Sequence, residues 1–443
     1  MRVGAGEDDP ADTTDVTGEG TAAPGPADAD GGRGGGGGGR HSDRRAFLQR
    51  TAGTTCAAVT GFGALGALAP ARAAAAPAPG PADPVPHHPF HGTHQAGVLT
   101  PQQRCAAFVA YDVLAAGRTD LAELFRIVTD RARTLVRGVR PEDEEVAAQP
   151  RTPDELTITL GVGASLFDDR FGLAARRPRR LTAMPAFPDD ALDPKRCHGD
   201  LSLQVCARHP DAVVHVLRDL ARETGGLLAP RWRVDGFHNP PRPSGASRTF
   251  IGFKDGIVNP DTGSHEEMER LVWTGPSGGE PEWTAGGCYQ VLRDIEFRVE
   301  SWDRVPTPAQ EKMIGRHKAS GAPLGGRLES DVPDYSRDPL GRTIPLDAHI
   351  RLANPRTPET RDSQLLRRSY SYDGGFHPDG RMRLGLLFCC YQRDPVRQFT
   401  AMQHRLADEP LARFVTPVGG GYFFVLPGVR DETDWLGSGL LTR

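Results

Sequence analysis

Three short stretches of the chain hold side chains that can move a proton, hold a metal or carry a fixed charge. The first is Gly252-Phe253-Lys254-Asp255-Gly256-Ile257-Val258-Asn259-Pro260, in which glycines flank an acidic residue. Glycine lets the backbone approach a flat ligand closely and enter a tight turn, so Asp255 would project from that turn. A carboxylate held there can take up and return a proton; taken alone, an Asp-Gly pair is only a turn signal. The second stretch is Asp347-Ala348-His349-Ile350-Arg351-Leu352-Ala353-Asn354-Pro355-Arg356. Neutral imidazole is a common metal ligand, although a lone His is more often a packed or surface residue. The third, Leu365-Leu366-Arg367-Arg368-Ser369-Tyr370-Ser371-Tyr372, sets an Arg pair among apolar residues. It supplies a permanent cation or, taken alone, a solvated strand edge.

The elements that must position these residues follow a repeated rhythm. Residues 105–114 (CAAFVAYDVL) read as a strand, and Thr119 or Asp120 is expected to cap a helix that keeps Leu121, Leu124, Phe125, Val128, Ala132 and Leu135 at helical spacing. Residues 156–162 and 201–207 read as strands, and 211–223 as a helix. The pattern recurs as a strand at 289–297, a helix at 307–316 with Pro308 in its first turn, a strand at 384–391, a helix at 395–406 and a strand at 422–426. This fits two ferredoxin-like β-α-β-β-α-β units, with halves at about 93–250 and 251–443. The class is therefore α+β. The expected arrangement is two sheets packed face to face in one domain, with a cavity where the half-copies diverge. The segments 261–286 and 320–383 are too long for plain connections, and loops of that size are usually functional.

Over 443 residues, 53 Lys and Arg meet 57 Asp and Glu, a formal net charge of −4. That balance excludes a general nucleic-acid binder, which needs a basic excess. No run of eighteen strongly apolar residues occurs in the body, which excludes a polytopic membrane protein. Residues 1–41 carry eight acids before residue 31 against Arg2 alone, then a glycine run. Such a segment has little to bury and is expected to be disordered, or to reflect an upstream choice of start codon. Ser42-Asp43-Arg44-Arg45-Ala46-Phe47-Leu48-Gln49 resembles a twin-arginine export signal, with the Arg-Arg-x-Phe-Leu core intact and Asp43 and Gln49 departing from the pattern. An Ala- and Gly-rich stretch and then Ala71-Arg72-Ala73 complete the order basic, apolar, small. Residues 42–75 are thus read as the signal and 76–92 as a proline-rich linker. That route carries proteins already folded, often around a cofactor, so a cofactor and an extracytoplasmic location are expected. The seven cysteines contain no C-x-x-C. Cys389 and Cys390 are adjacent in an apolar strand pattern and should face opposite sides. They read as small buried hydrophobes, and no zinc site is expected.

Taken together, the three stretches resemble the dye-decolourising (DyP-type) haem peroxidases. Gly252-Phe253-Lys254-Asp255-Gly256 matches the G-x-x-D-G motif of that family, His349-Ile350-Arg351 its H-I-R stretch, and Arg367 stands eighteen residues after His349. The resemblance covers about residues 89–437. The opening His94-Gln95-Ala96-Gly97 and the closing Pro417-Val418-Gly419-Gly420-Gly421-Tyr422-Phe423-Phe424 are similar to the exported, iron-uptake-associated branch, some of whose members are described as deferrochelatases. The resemblance implies a haem-binding domain of the dimeric α+β-barrel type over residues 93–443 and one haem b per chain. It implies His349 as the proximal iron ligand, Asp255 as the distal acid-base residue and Arg367 as the distal cation. Gly252, Phe253, Lys254, Gly256 and Arg351 would touch the cofactor, and Leu386 and Phe388 would wall its distal side. Ser369 stands where some branches have Asn, which removes one polar distal residue. Asp394, Asp408 and Glu409 are candidates for the carboxylate that should hydrogen-bond the far nitrogen of His349. The implied partners are hydrogen peroxide, an organic reductant such as a dye, haem and iron-uptake proteins; a homodimer is left open. Three functions share these motifs: peroxidase, deferrochelatase releasing iron from haem with the porphyrin intact, and a haem carrier without turnover. A carrier has no need of the Asp255 and Arg367 pair.

Overall fold

In a computed structural model, residues 87–138, 154–275 and 278–442 are described. The acidic extension, the export signal and most of the proline-rich linker lie outside the described residues. The first half runs β1 (Cys105–Val113), α1 (Arg118–Val136), β2 (Thr157–Gly163), β3 (Leu201–Ala207), α2 (Pro210–Glu223) and β4 (Leu228–Phe237). Its strands are antiparallel in the order β4-β1-β3-β2, the order of a ferredoxin-like unit. Helix α1 starts one residue before Thr119, with Gly117 at its N-cap. Asp120 instead sits in the first turn and accepts a hydrogen bond from the Ala116 N–H at 3.3 Å. Strand β4 escaped the sequence reading. Pro230 lies beside a bulge at Ala110/Tyr111, and Arg231, Arg233 and Asp235 interrupt the apolar alternation.

The second half contains α3 (His265–Leu271), β5 (Cys288–Phe297), α4 (Val299–Trp302), α5 (Thr307–Ile314), α6 (His349–Ala353), β6 (Leu366–Arg367), β7 (Tyr370–Phe376), β8 (Met382–Gln392), α7 (Ala401–Leu406), β9 (Val415–Val425) and α8 (Ser438–Leu441). Here the order β9-β5-β8-β7 repeats that of the first half. The halves do not form two stacked sheets. Strand β2 pairs with β9, β4 with β7, and β5 with β8, so eight strands close into one antiparallel barrel, with β6 added on β8. Each unit alone would leave two unpaired edges; joining the edges satisfies their N–H and C=O groups.

Strand alternation sorts residues between the two faces of the barrel. Phe108, Leu292, Tyr370, Leu387 and Phe423 fill the interior. There Gln290 Nε2 donates to Gln204 Oε1 at 3.1 Å, and the Tyr391 hydroxyl donates to the same oxygen. Cys389 packs inside and Cys390 in the outer core, and burial pushes the Cys389 thiol up to about 12. The six described cysteines are free thiols. Gly385 gives the interior its close fit: a Cβ there would lie 2.3 Å from the Tyr372 ring and 2.5 Å from the Ile295 carbonyl oxygen. Gly385→Ala is expected to cost about 1–3 kcal/mol of stability, read as a lowered denaturation midpoint; an unchanged midpoint would refute this packing.

On the outer face the halves differ. Leu121, Leu124 and Phe125 of α1 and Val216 and Leu220 of α2 are buried on the first half. Over β5, β8 and β9, helices α5, α6 and α7 stand off from the sheet and enclose a cavity of about 290 Å³.

Candidate active site

The floor of this cavity is the outward row of the sheet: Arg293, Ile295 and Phe297 of β5, Leu386 and Phe388 of β8, and Val415 and Pro417 of β9. Ile314, Ile350, Met402 and Leu406 close it from the helices. The walls are thus largely apolar, as a flat hydrophobic ligand requires. The long segment 320–383 brings His349 and Arg367 to its rim, and the turn at 252–256 brings Asp255.

His349 opens α6. A third of its side chain is accessible, and that accessible part faces the cavity, which His349 lines. Its Nδ1–H donates to both oxygens of Glu409, at 2.8 and 3.0 Å. The carboxylate partner sets the tautomer and leaves Nε2 as the nitrogen with a free lone pair. Burial works against an imidazolium, but the charge and hydrogen bond of Glu409 outweigh it, and the His349 pKa is raised. Of the three carboxylates considered, Glu409 is the partner. It follows α7 through Asp408, which turns the chain at φ 63°, and it is buried. Asp394 instead receives the N–H groups of Val396 and Arg397. Arg405 donates to the Leu352 and Ala353 carbonyls and so ties the end of α6 to α7.

Asp255 and Arg367 are directly paired. Arg367 Nη1 donates to Asp255 Oδ1 at 2.8 Å, and the Gly256 N–H donates to the same oxygen at 2.7 Å. Arg367 Nη2 donates to the Val258 carbonyl at 3.1 Å. Asp255 Oδ2 has no hydrogen bond among the described residues. A residue the sequence reading missed holds β6 in place. The Asn259 side chain accepts from the Arg367 N–H at 3.0 Å and donates to the Arg367 carbonyl at 2.8 Å, imitating a strand partner.

Other expected cofactor contacts fare unequally. Phe253, Lys254, Gly256, Leu386 and Phe388 line the cavity. The Lys254 ammonium is nevertheless drawn to Glu329 and the Ser244 carbonyl. Gly252 and Arg351 are not among the lining residues. Gly252 serves the turn, at φ +83° over the Lys318 stem. Arg351 stands two residues from His349 on one helix, so the two point apart. It reaches Asp338 and the Ile344 carbonyl and lies over the Tyr335 ring. Ser369 Oγ accepts from the Cys389 N–H at 3.4 Å, away from the cavity.

Comparison with known proteins agrees with this geometry. Residues 95–238 match the N-terminal domain of the Dyp-type peroxidases and 246–430 the C-terminal domain. The deferrochelatase of Escherichia coli (strain K12) is 49% identical over 367 residues, spanning 80% of this chain and 87% of the relative. The DyP-type peroxidase structure from Cellulomonas bogoriensis superposes with a TM-score of 0.75 at 37% identity, over 81% of this chain and 99% of that one. Ferric DtpA from Streptomyces lividans gives 0.75 at 34% identity, over 81% and 98%. The fold is that of a haem peroxidase, an α+β barrel with its cavity on one half. The chain belongs to the DyP-type peroxidases.

The residues present fit a haem. Besides the apolar walls and the Nε2 of His349, the lining includes Arg316 and Arg356. Burial lowers the Arg316 pKa, so its charge is costly there. The Nε of Arg356 is buried and has no hydrogen-bond partner. Two cations set at an apolar cavity suit the two propionates of a haem. Sequence offered no signal for Arg316, and Arg356 was quoted only as the end of the His349 stretch.

Proposed function

We propose that the chain is an exported peroxidase that reduces hydrogen peroxide at the expense of an organic donor, with one haem b held by His349. The observation that supports this is one apolar cavity lined both by an imidazole backed by a buried carboxylate and by an ion-paired Asp and Arg. When bound, haem supplies a ferric iron that takes up peroxide and accepts its oxidising equivalents.

The protein residues do the rest. Glu409 fixes His349 by its Nδ1 and enriches the imidazole in electron density. Asp255 Oδ2 takes the proton from peroxide and returns it to the departing oxygen as water forms. Arg367 stays protonated and stabilises the charge that develops there. Its bond to Asp255 keeps that carboxylate aimed. Glu409→Gln should keep haem but raise its reduction potential, because a neutral amide withdraws less proton density from Nδ1; potentiometry reads this, and an unchanged potential would count against the role of Glu409.

Deferrochelatase activity is the second reading, favoured by the relatives that carry that name and consistent with a setting in iron or haem uptake. Peroxide-dependent bleaching of a dye, measured beside iron-free porphyrin fluorescence on incubation with haem, separates the two. Dye bleaching without porphyrin release supports the peroxidase alone; porphyrin release without bleaching overturns it.

Export by the twin-arginine route is the further part of the proposal, carried by Arg44-Arg45, the Ala-rich run and Ala71-Arg72-Ala73. Changing both arginines to Lys is expected to trap the precursor in the cytoplasm, as a fractionated blot would show. Unchanged export of that variant would remove the signal assignment.

A further inference from the structure

We infer that Glu329 is a positioning residue for Asp255, acting through Lys254. The inference rests on the reading of Asp255 as the acid-base residue.

Asp255 ends a tight hairpin. The Asp255 N–H donates to Ser247 O at 2.9 Å, the Thr249 N–H to Phe253 O at 3.0 Å and the Gly252 N–H to Thr249 O at 2.9 Å, with Arg248 bridged to Lys254. Lys254 is the bridge residue of this turn and Asp255 follows it directly. Whatever fixes Lys254 therefore restrains the backbone from which Asp255 projects.

Glu329, from the long segment 320–383, supplies that fixing. One carboxylate oxygen accepts from the Ala246 N–H at 2.7 Å, before the turn, and the other accepts from Lys254 Nζ, after it. The Lys254 side chain is only 5% exposed, so this charge-assisted bond is shielded from water. Two glycines make room for it. A Cβ on Gly245 would lie 2.2 Å from Glu329 Oε2, and one on Gly321 would lie 2.8 Å from Lys254 Cδ. The same segment is held from behind: Arg316 Nη1 donates to the Gly321 carbonyl at 2.6 Å and to the Glu329 carbonyl at 3.3 Å. Arg248 fastens the turn itself through Gly252 O and Lys318 O at 2.8 and 2.5 Å. Burial opposes the Glu329 charge, but Lys254 and the Ala246 N–H outweigh it, and its pKa is lowered. Nothing in the peroxidase reading assigns Glu329 a part, and it does not line the cavity.

The test uses haem-loaded protein mixed rapidly with peroxide, and hydrogen exchange on the haem-free chain. Glu329→Ala is expected to retain haem and its Soret band but to slow the peroxide-induced spectral change by about tenfold or more, the size of a small misplacement of a reacting group. Amides of residues 246–256 should exchange faster in the haem-free variant. Glu329→Gln keeps the shape but only one acceptor oxygen for two donors, so it should recover only part of the rate. The double variant Glu329→Ala with Asp255→Asn should be no slower than Asp255→Asn alone, because both act on one group. If Asp255→Asn reacts at the wild-type rate, the reading of Asp255 fails, and the inference with it. If Asp255→Asn is slow while Glu329→Ala keeps the wild-type rate and exchange, or if the two losses multiply, the inference alone is overturned. Should Glu329→Ala not fold, Lys254→Met decides: slowing supports the inference, and the wild-type rate refutes it.

Discussion

His349→Ala is expected to yield a folded chain that no longer holds haem at one per chain. The imidazole is the side chain proposed above to hold the iron, and its Nδ1 is already committed to Glu409. The measurement is the Soret band and the haem content after desalting, with the haem-free protein checked by circular dichroism. Removing the ring also strips buried Glu409 of its partner, so His349→Ala with Glu409→Gln separates loss of the ligand from loss of the fold. A wild-type Soret band and turnover in His349→Ala would mean that another group holds the iron. A pH dependence accompanies this in the haem-free chain. Burial lowers the His349 pKa, yet Glu409 outweighs it and the net shift is upward. A raised pKa gives stability that is fully present below the unfolded value of about 6.5 and is lost as pH rises through the folded value. Haem-free wild type should therefore lose part of its stability from mildly acidic to alkaline pH, and His349→Ala should flatten that slope.

The second large effect is expected at the paired distal groups. Asp255→Asn keeps the shape and removes the base; Arg367→Leu removes the charge. At least one should slow the reaction with peroxide by about a hundredfold or more, the usual size of an acid-base or electrostatic contribution. Because Arg367 Nη1 holds Asp255 Oδ1, removing Arg367 also frees the carboxylate to turn. The double variant should thus fall short of the product of the two single losses. Rapid mixing at fixed pH reads these rates directly. Both single variants reacting at the wild-type rate with haem retained would sink the distal assignment.

Much of this molecule is legible in its residues. The strongly alternating strands, the buried stripe of α1 and the motifs around Asp255, His349 and Arg367 stand out locally. What is not legible depends on contacts distant in sequence. Strand β4 hides because Pro230 and three charged residues disguise a strand whose other face is buried. Strands β6 and β7 hide because one is two residues long and the other is rich in glycine at its end. Glu409 could not be told from Asp394 and Asp408, since only the fold shows which carboxylate crosses sixty positions to reach His349. Arg351 misled for the opposite reason: closeness in sequence to His349 is separation on a helix. The barrel was legible through the family resemblance and not from the strand pattern, because the pairs that close it are short, three residues for β2–β9 and one for β4–β7.

The cavity is lined almost entirely by the second half-copy, and this implies a division of labour within a duplicated architecture. The first half, sealed by α1 and α2, is free to act as a stiff scaffold. The second has given up close packing of its helices to make room for a ligand. Opening fluctuations should accordingly be unequal in two units of the same topology. Amides of β1 and β3 should exchange near the global unfolding limit. Those of α6 and α7 should open at lower cost until haem bridges the gap. A duplicated unit can in this way acquire a reactive site without placing the whole molecule at risk, since the copy that does no chemistry keeps the shared barrel closed.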